Sequence, residues 1–338
     1  MANNSKPIVP VFFGCDQRFT PYMGVALVSM LDHVSPRRKY EIHILHTDIN
    51  EATQAKYVAL AKPNASIQFH NVSDDISSIV DGLPIRDYYS ASTYFRFVIA
   101  ANFPQYDKAL YIDCDTCINA DVAQLFDVNI GDNYVGAVPE AVMNTMEPAG
   151  AYAERVLGIN RRKYFNAGMM LINSKQWRKN DVLGQFINLV SFYNFVVAQD
   201  QDYLNVICKN KVHILPRKWN MEAIRSWRVP PKDISIIHYA FAAKPWHDIN
   251  CLYGQYFWKY ASKSPDYMEI KAAFAAVTPE ALERENNVAP SVLATCEAEI
   301  ERNDNFLCRI NNHRYSKVLK SNGPVFQELV QRLRATAL

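Results

Sequence analysis

Residues 108–116 read KALYIDCDT, a short apolar run that ends without a spacer in Asp113-Cys114-Asp115. A run of this length bounded by polar residues reads as a buried strand, and carboxylates at a strand's carboxyl end sit where open α/β sheets bind ligands. The sequence on either side agrees with such a sheet. Upstream, Ile8 to Phe13 forms a β-branched and aromatic run, closed by the polar turn Cys15-Asp16-Gln17 and followed by a helical stretch over 20–33. Residues 40–47 (YEIHILHT) alternate like a strand, Asn50 is suited to cap a helix over 51–61, and residues 66–72 (SIQFHNV) alternate again. Successive strand–helix units predict an α/β fold, a mostly parallel central sheet with helices on both faces.

Further along, 93–101 and 200–208 read as helical, 174–195 as one long helix, and 134–139, 164–173, 211–215 and 234–239 as strands. Beyond about residue 248 the pattern becomes helical pieces rich in Tyr and Trp. The expected division is a catalytic α/β unit over 1–248 and a small helical C-terminal region over 249–338. In the last helix, 324–338, Val325, Phe326, Leu329, Val330 and Leu333 form an apolar stripe. Packing against the main unit is the preferred reading. The other is an interfacial helix, which would hold the protein at an anionic membrane surface.

Composition narrows the classes. The chain has 338 residues, 49% apolar and 21% charged, enough to build a substantial core. A net charge of +2 gives no reason to expect nucleic acid as a partner. Basic residues are concentrated at one end, with Arg309, Arg314, Lys317, Lys320, Arg332 and Arg334 against the single acid Glu328 from residue 309 onward. The N-terminal residues lack a charged segment followed by a long apolar one, and seven scattered cysteines do not suggest a disulfide framework. A cytoplasmic protein with reduced thiols is expected, peripheral on the inner membrane face if the tail contacts lipid.

Two carboxylates at i and i+2 on a strand end can share a divalent ion such as Mg²⁺ or Mn²⁺, whose remaining ligands are often substrate phosphates. Asp113-Cys114-Asp115-Thr116 also matches the Asp-x-Asp-x-Thr motif of haloacid-dehalogenase-type phosphotransferases, in which the first Asp is a nucleophile. That motif normally follows the first strand, whereas more than one hundred residues precede it here. Cys114 and Cys117 form a C-x-x-C without two further ligands at zinc spacing, and read as ordinary thiols.

Five segments in order carry a resemblance: TYFRF at 93–97, LYIDCDTCINADVAQLF at 110–126, YFNAGMMLIN at 164–173, DQDYLN at 200–205 and HYAFAAKPWH at 238–247. Together they resemble glycosyltransferase family 8, which includes bacterial lipopolysaccharide galactosyl- and glucosyltransferases and the glycogenins. The resemblance implies a GT-A fold, Rossmann-like, binding a UDP-sugar at the carboxyl ends of its strands. It implies Mn²⁺, with Mg²⁺ as the alternative, held by Asp113, Asp115 and His238. Imidazole suits Mn²⁺ better than Mg²⁺, although a lone His in an apolar strand is usually a core residue.

By the same resemblance Lys244 contacts phosphate, Arg96 contacts the donor sugar, and Asn166, Ala167, Asp200 and Gln201 line the sugar pocket. Small residues at Ala167 and Gly168 suit close backbone approach to a ligand. Asp200, Gln201 and Asp202 are the catalytic candidates, Gln201 facing the anomeric carbon and Asp202 being either a carboxylate nucleophile or a helix-capping acid. Phe13, Gly14 and Asp16 occupy the loop that binds uridine in this family, Phe19 or Arg18 could stack on uracil, and Cys114 lies between the two metal acids. Two departures stand out. Relatives often carry two acids where this chain has Cys15-Asp16, and some carry glycine where it has Phe241. The implied activity is transfer of a hexose from UDP-galactose or UDP-glucose, with retention, to a saccharide or lipid-linked saccharide acceptor. The alternative from another class is a sugar-nucleotide or glycan-binding protein of the same fold with little turnover.

Overall fold

The computed structural model describes residues 6–80, 91–224, 230–241, 244–312 and 323–335. Its central sheet has seven strands in the order β3-β2-β1-β4-β7-β6-β8. They are β1 (Ile8–Gly14), β2 (Lys39–His46), β3 (Ala65–Asn71), β4 (Ala109–Ile112), β6 (Val135–Pro139), β7 (Phe165–Ile172) and β8 (Val212–Ile214). All neighbouring pairs are parallel except the two made by β7, which runs against both β4 and β6. The expected mostly parallel α/β sheet is present, with one reversed central strand. Reversal matters for the site, because the start of β7 now meets the end of β4: Ile112 pairs with Met169, and Asp113 N–H donates to Gly168 O at 2.7 Å.

A second sheet has the order β5-β10-β9, from β5 (Thr116–Ile118), β9 (Met221–Glu222) and β10 (Ile236–His238). Asp113-Cys114-Asp115 is thus the link between β4, the middle strand of the central sheet, and β5 of the second sheet. Antiparallel pairing sets His238 opposite Thr116, and parallel pairing sets it beside Glu222.

The helix Thr20–Leu31 is buried along nearly its whole length, which explains its apolar, small-residue composition. Pro21 sits at its first turn, where a missing N–H costs nothing. Two segments differ from expectation. The stretch expected as one helix over 174–195 divides into Ser174–Lys179 and Val182–Phe192, because Asp181 takes a left-handed conformation (φ 44°) and caps the second helix through Gly184 N–H at 3.0 Å. The stretch 93–101 is mostly a 3₁₀ turn, Ala91–Val98, leading into the short helix Ile99–Asn102.

The C-terminal helices share the core of the α/β unit. Phe326, Leu329, Val330 and Leu333 of the helix Gly323–Ala335 are buried together with Phe186, Leu189 and Phe192 of the main unit. The apolar stripe is therefore spent on packing. Arg332 donates to Ile207 O at 2.6 Å and Arg334 to Ile310 O at 2.6 Å, so part of the basic tail satisfies helix-end carbonyls. Arg314, Lys317 and Lys320 lie outside the described residues. Among the described residues, no helix is long and apolar enough to cross a membrane.

Candidate active site

Asp113, Asp115 and His238 converge at the carboxyl rim of the sheet, with one ligand atom from each lying within 4.8 Å of the others. His238 Nε2 is 3.2 Å from Asp115 Oδ1 and 3.9 Å from Asp113 Oδ2. The backbone makes this convergence unavoidable, since Tyr239 N–H donates to Asp115 O at 2.9 Å as β10 pairs beside the acidic link. Gly168 forms the floor. A β-carbon there would lie 2.2 Å from His238 Cε1 and 2.6 Å from Asp113 Oδ2, so only glycine fits beneath these two ligands.

Each acid has one oxygen engaged by a cation and the other turned toward His238. Asp113 Oδ1 accepts from Arg96 Nη2 at 3.0 Å and from Tyr111 OH at 2.8 Å. Asp115 Oδ2 accepts from Lys244 Nζ at 2.6 Å. Burial alone would raise the Asp115 carboxyl, but Lys244 and His238 outweigh it and hold the group well below the usual carboxylate range. Two carboxylate oxygens and an imidazole nitrogen at these separations suit a divalent ion.

Arg96 knits the acids to the residues expected to line a sugar pocket. It is 2% exposed, lies over the Tyr111 ring with its guanidinium carbon 4.3 Å from the centroid, and donates to Ala167 O at 2.6 Å. Its Nε lies 3.4 Å from Asp200 Oδ2. The carboxyl of Asp200 is pushed up to about 7 by burial, against the opposing charge of Arg96. Gln201 Oε1 accepts from Ala167 N–H at 2.9 Å, and its Nε2 donates to Tyr164 OH at 3.3 Å. Asn166 Oδ1 accepts from Gly168 N–H at 2.9 Å. The first turn of the helix Asp200–Ile207 and the start of β7 therefore form one wall.

Asp202 stands apart from that wall in its bonding. It is fully buried, accepting from Tyr164 OH at 2.7 Å, Tyr152 OH at 2.9 Å and Ala198 N–H at 2.9 Å. These donors occupy both oxygens, and burial still pushes the carboxyl up to about 6. The arrangement is that of an acid bracing the first turn of its helix.

The N-terminal loop lines the other side. Phe13 is wholly buried in the core. Gly14 packs against Ser92 O, which a β-carbon would approach to 2.7 Å. Asp16 caps the turn Gln17–Phe19 through Phe19 N–H at 2.9 Å. Phe19 is half-buried and packs edge-on against Tyr22 and Trp246, with centroids 5.0 and 5.8 Å away, while Arg18 is exposed. Cys114 is buried and donates to Gly14 O at 3.2 Å, tying the acidic link to this loop. Phe241 has a φ of 61°, a left-handed conformation that costs a side chain bearing a β-carbon and that glycine adopts freely.

Sequence reasoning missed two contributors. Tyr111 shares a strand face with Asp113 because side chains two apart point the same way, a signal that was present. Asn220 accepts within reach of His238 Nδ1 at 3.1 Å, and nothing in its local sequence announces this.

Known proteins resemble this chain over most of its length. Residues 10–250 match the model of the family described as glycosyl transferase family 8. A putative glycosyltransferase of Haemophilus influenzae is 28% identical over 76% of this chain and 79% of its own length. The lipopolysaccharide 1,3-galactosyltransferase of Salmonella typhimurium is 26% identical over 75% of this chain and 78% of its own. Among solved structures, galactosyltransferase LgtC in complex with donor and acceptor sugar analogues aligns with a TM-score of 0.66 at 27% identity, covering 76% of this chain and 96% of that one. The bifunctional glycosyltransferase WbbM aligns with a TM-score of 0.70 at 27% identity, covering 82% of this chain and 53% of the longer protein. By its sheet topology, its clustered acids and histidine, and a family match spanning most of its length, the chain belongs to glycosyl transferase family 8.

Proposed function

We propose that this glycosyltransferase moves a hexose, galactose or glucose, from a UDP-sugar to a saccharide acceptor with retention of anomeric configuration. The observation that carries the reading is the convergence of Asp113, Asp115 and His238 with the Lys244 ammonium on Asp115. Three donors and one cation at a strand end match what a nucleotide diphosphate needs. When bound there, Mn²⁺ would act as a Lewis acid on the diphosphate and make it a better leaving group.

The protein's own residues divide the remaining work. Lys244 adds a second positive charge where negative charge accumulates on the departing diphosphate. Arg96 is always protonated and holds Asp113 and Asp200 in fixed relation, so the ion and the sugar hydroxyls are oriented by one rigid side chain. Asp200, its Oδ2 buried with Arg96 Nε 3.4 Å away, would face the sugar hydroxyls from the first turn of its helix. Gln201 is oriented by Ala167 and Tyr164 and can stabilise developing positive charge at the anomeric carbon. Because Asp202 has both oxygens taken, the reading favours attack from the leaving-group face over a covalent intermediate on that acid.

The acceptor follows the relatives' names: a lipopolysaccharide-type or other cell-surface glycan, approached from the cytoplasm. Membrane contact, where it occurs, would rest on basic side chains, since the apolar stripe of the last helix is buried.

Asp115→Ala and His238→Ala should each lower UDP release from UDP-hexoses by at least about 10²-fold, the scale for losing one stabiliser of developing charge. The circular dichroism of both variants should match the parent. Full activity of both in EDTA would refute the metal reading. UDP release from a panel of UDP-hexoses, with and without Mn²⁺, separates an enzyme from a binding protein, and inertness toward phosphate monoesters removes the phosphotransferase.

A further inference from the structure

Asn220 is fully buried directly behind the imidazole of His238, which is itself 4% exposed. Its orientation follows from a backbone group that allows only one polarity. Gly168 N–H donates to the Asn166 side chain at 2.9 Å, so the atom it meets is the amide oxygen. The same oxygen lies 2.8 Å from the Asn220 side chain, whose facing atom must therefore be the Nδ2 donor. Asn220 Oδ1 is thereby turned toward His238 Nδ1, 3.1 Å away. An amide oxygen only accepts, so a ring proton belongs on Nδ1, while Nε2 faces Asp115 and Asp113, the side on which a divalent ion would sit.

We infer that Asn220 is a positioning residue for the metal-ligand imidazole, fixing the Nδ1–H tautomer and ring plane of His238 and coupling it through Asn166 to the wall of the sugar pocket. The inference rests on His238 being a metal ligand, as proposed above. An imidazole protonated on Nε2 has no lone pair to offer at that atom, so loss of the acceptor behind the ring weakens ligation without touching the ligand itself. The ring cannot easily turn elsewhere, because it lies directly against Gly168. Backbone geometry delivers Asn220 to this position: β9 starts at the next residue and runs parallel to β10, with Glu222 paired to His238. Eighteen residues of sequence separation disappear in one strand register.

Asn220 could also do no more than satisfy buried polar groups, and the test distinguishes the two roles. In the parent protein loaded with Cd²⁺, a diamagnetic stand-in, nitrogen-15 NMR of the histidine side chains should show His238 protonated at Nδ1 and bound to the ion through Nε2. Ligation through Nδ1, or an Nδ1 without its proton, overturns the inference, whatever any variant does. Mn²⁺ binding followed by electron paramagnetic resonance should weaken about 10–100-fold in Asn220→Ala, the usual cost of losing a partner behind a ligand. Asn220→Asp keeps an acceptor for the ring N–H and should stay within about threefold of the parent. If both variants melt lower yet bind Mn²⁺ as the parent does, Asn220 is only structural. His238→Ala is the control: unchanged Mn²⁺ affinity there would overturn the metal reading itself, whereas weakening there with none in Asn220→Ala overturns this inference alone.

Discussion

Gly168 carries the tightest steric requirement at the site. A β-carbon there would collide with the His238 ring and the Asp113 carboxylate at 2.2 and 2.6 Å, and both are needed in place. Gly168→Ala should therefore weaken Mn²⁺ binding at least about tenfold and destabilise the fold by about 1–3 kcal/mol through overpacking. Metal titration and urea denaturation check the two effects, and parental Mn²⁺ affinity in this variant would contradict the geometry. At this scale the acids, His238 and Lys244 were legible because they sit in contiguous motifs. The partners of Asn220 and of Asp202 were not, because they are reached only by folding, although capping was one of the two readings given to Asp202. Asp202 has an acidic neighbourhood in sequence, yet its partners are Tyr152, Tyr164 and Ala198. Phe241 was legible as a departure, and its φ of 61° supplies the physical content of that departure.

Among the elements, the direction of β7 could not be read from YFNAGMMLIN. A strand buried on both faces has the same apolar run whichever way it points. Only pairing fixes the direction, and the pairing sets Gly168 under Asp113. The break at Asp181 was equally hidden, since Asn180-Asp181 can continue a helix or cap the next one. The helix Asp200–Ile207 gives a pH prediction. Asp200 and Asp202 are raised from 3.8 to about 7 and about 6, mainly by burial, so the folded state binds protons that the unfolded state has released. Their contribution to stability is full below the unfolded value and is lost as pH rises through the folded ones. Metal-free protein should accordingly lose urea resistance between about pH 4 and pH 7, with a slope of up to about 1.4 kcal/mol per pH unit for each proton. Asp200→Asn should flatten that loss, and an unchanged slope in the variant would show that Asp200 is ionised throughout.

Over the whole molecule, the α/β architecture and its helical C-terminal region were legible from the alternation of periods, since strand and helix spacings differ. That the C-terminal helices close the main core was only a preference. An apolar stripe on a basic helix is equally suited to a membrane surface and to a protein core. Burial of Leu329 to 1% exposure makes the consequence measurable. Leu329→Ala should cost about 2–5 kcal/mol in denaturant unfolding. UDP release at low temperature should be retained, because Leu329 is not among the metal-cluster residues and its helix packs on Phe186, Leu189 and Phe192. The central claim concerns the acidic link, through which two sheets meet. Its most direct test is anomalous diffraction at the manganese edge from crystals soaked with Mn²⁺ and UDP. A single strong peak among Asp113, Asp115 and His238, adjoining the diphosphate, is the predicted result; UDP bound with no peak at those residues, or with the ion held elsewhere, would contradict it.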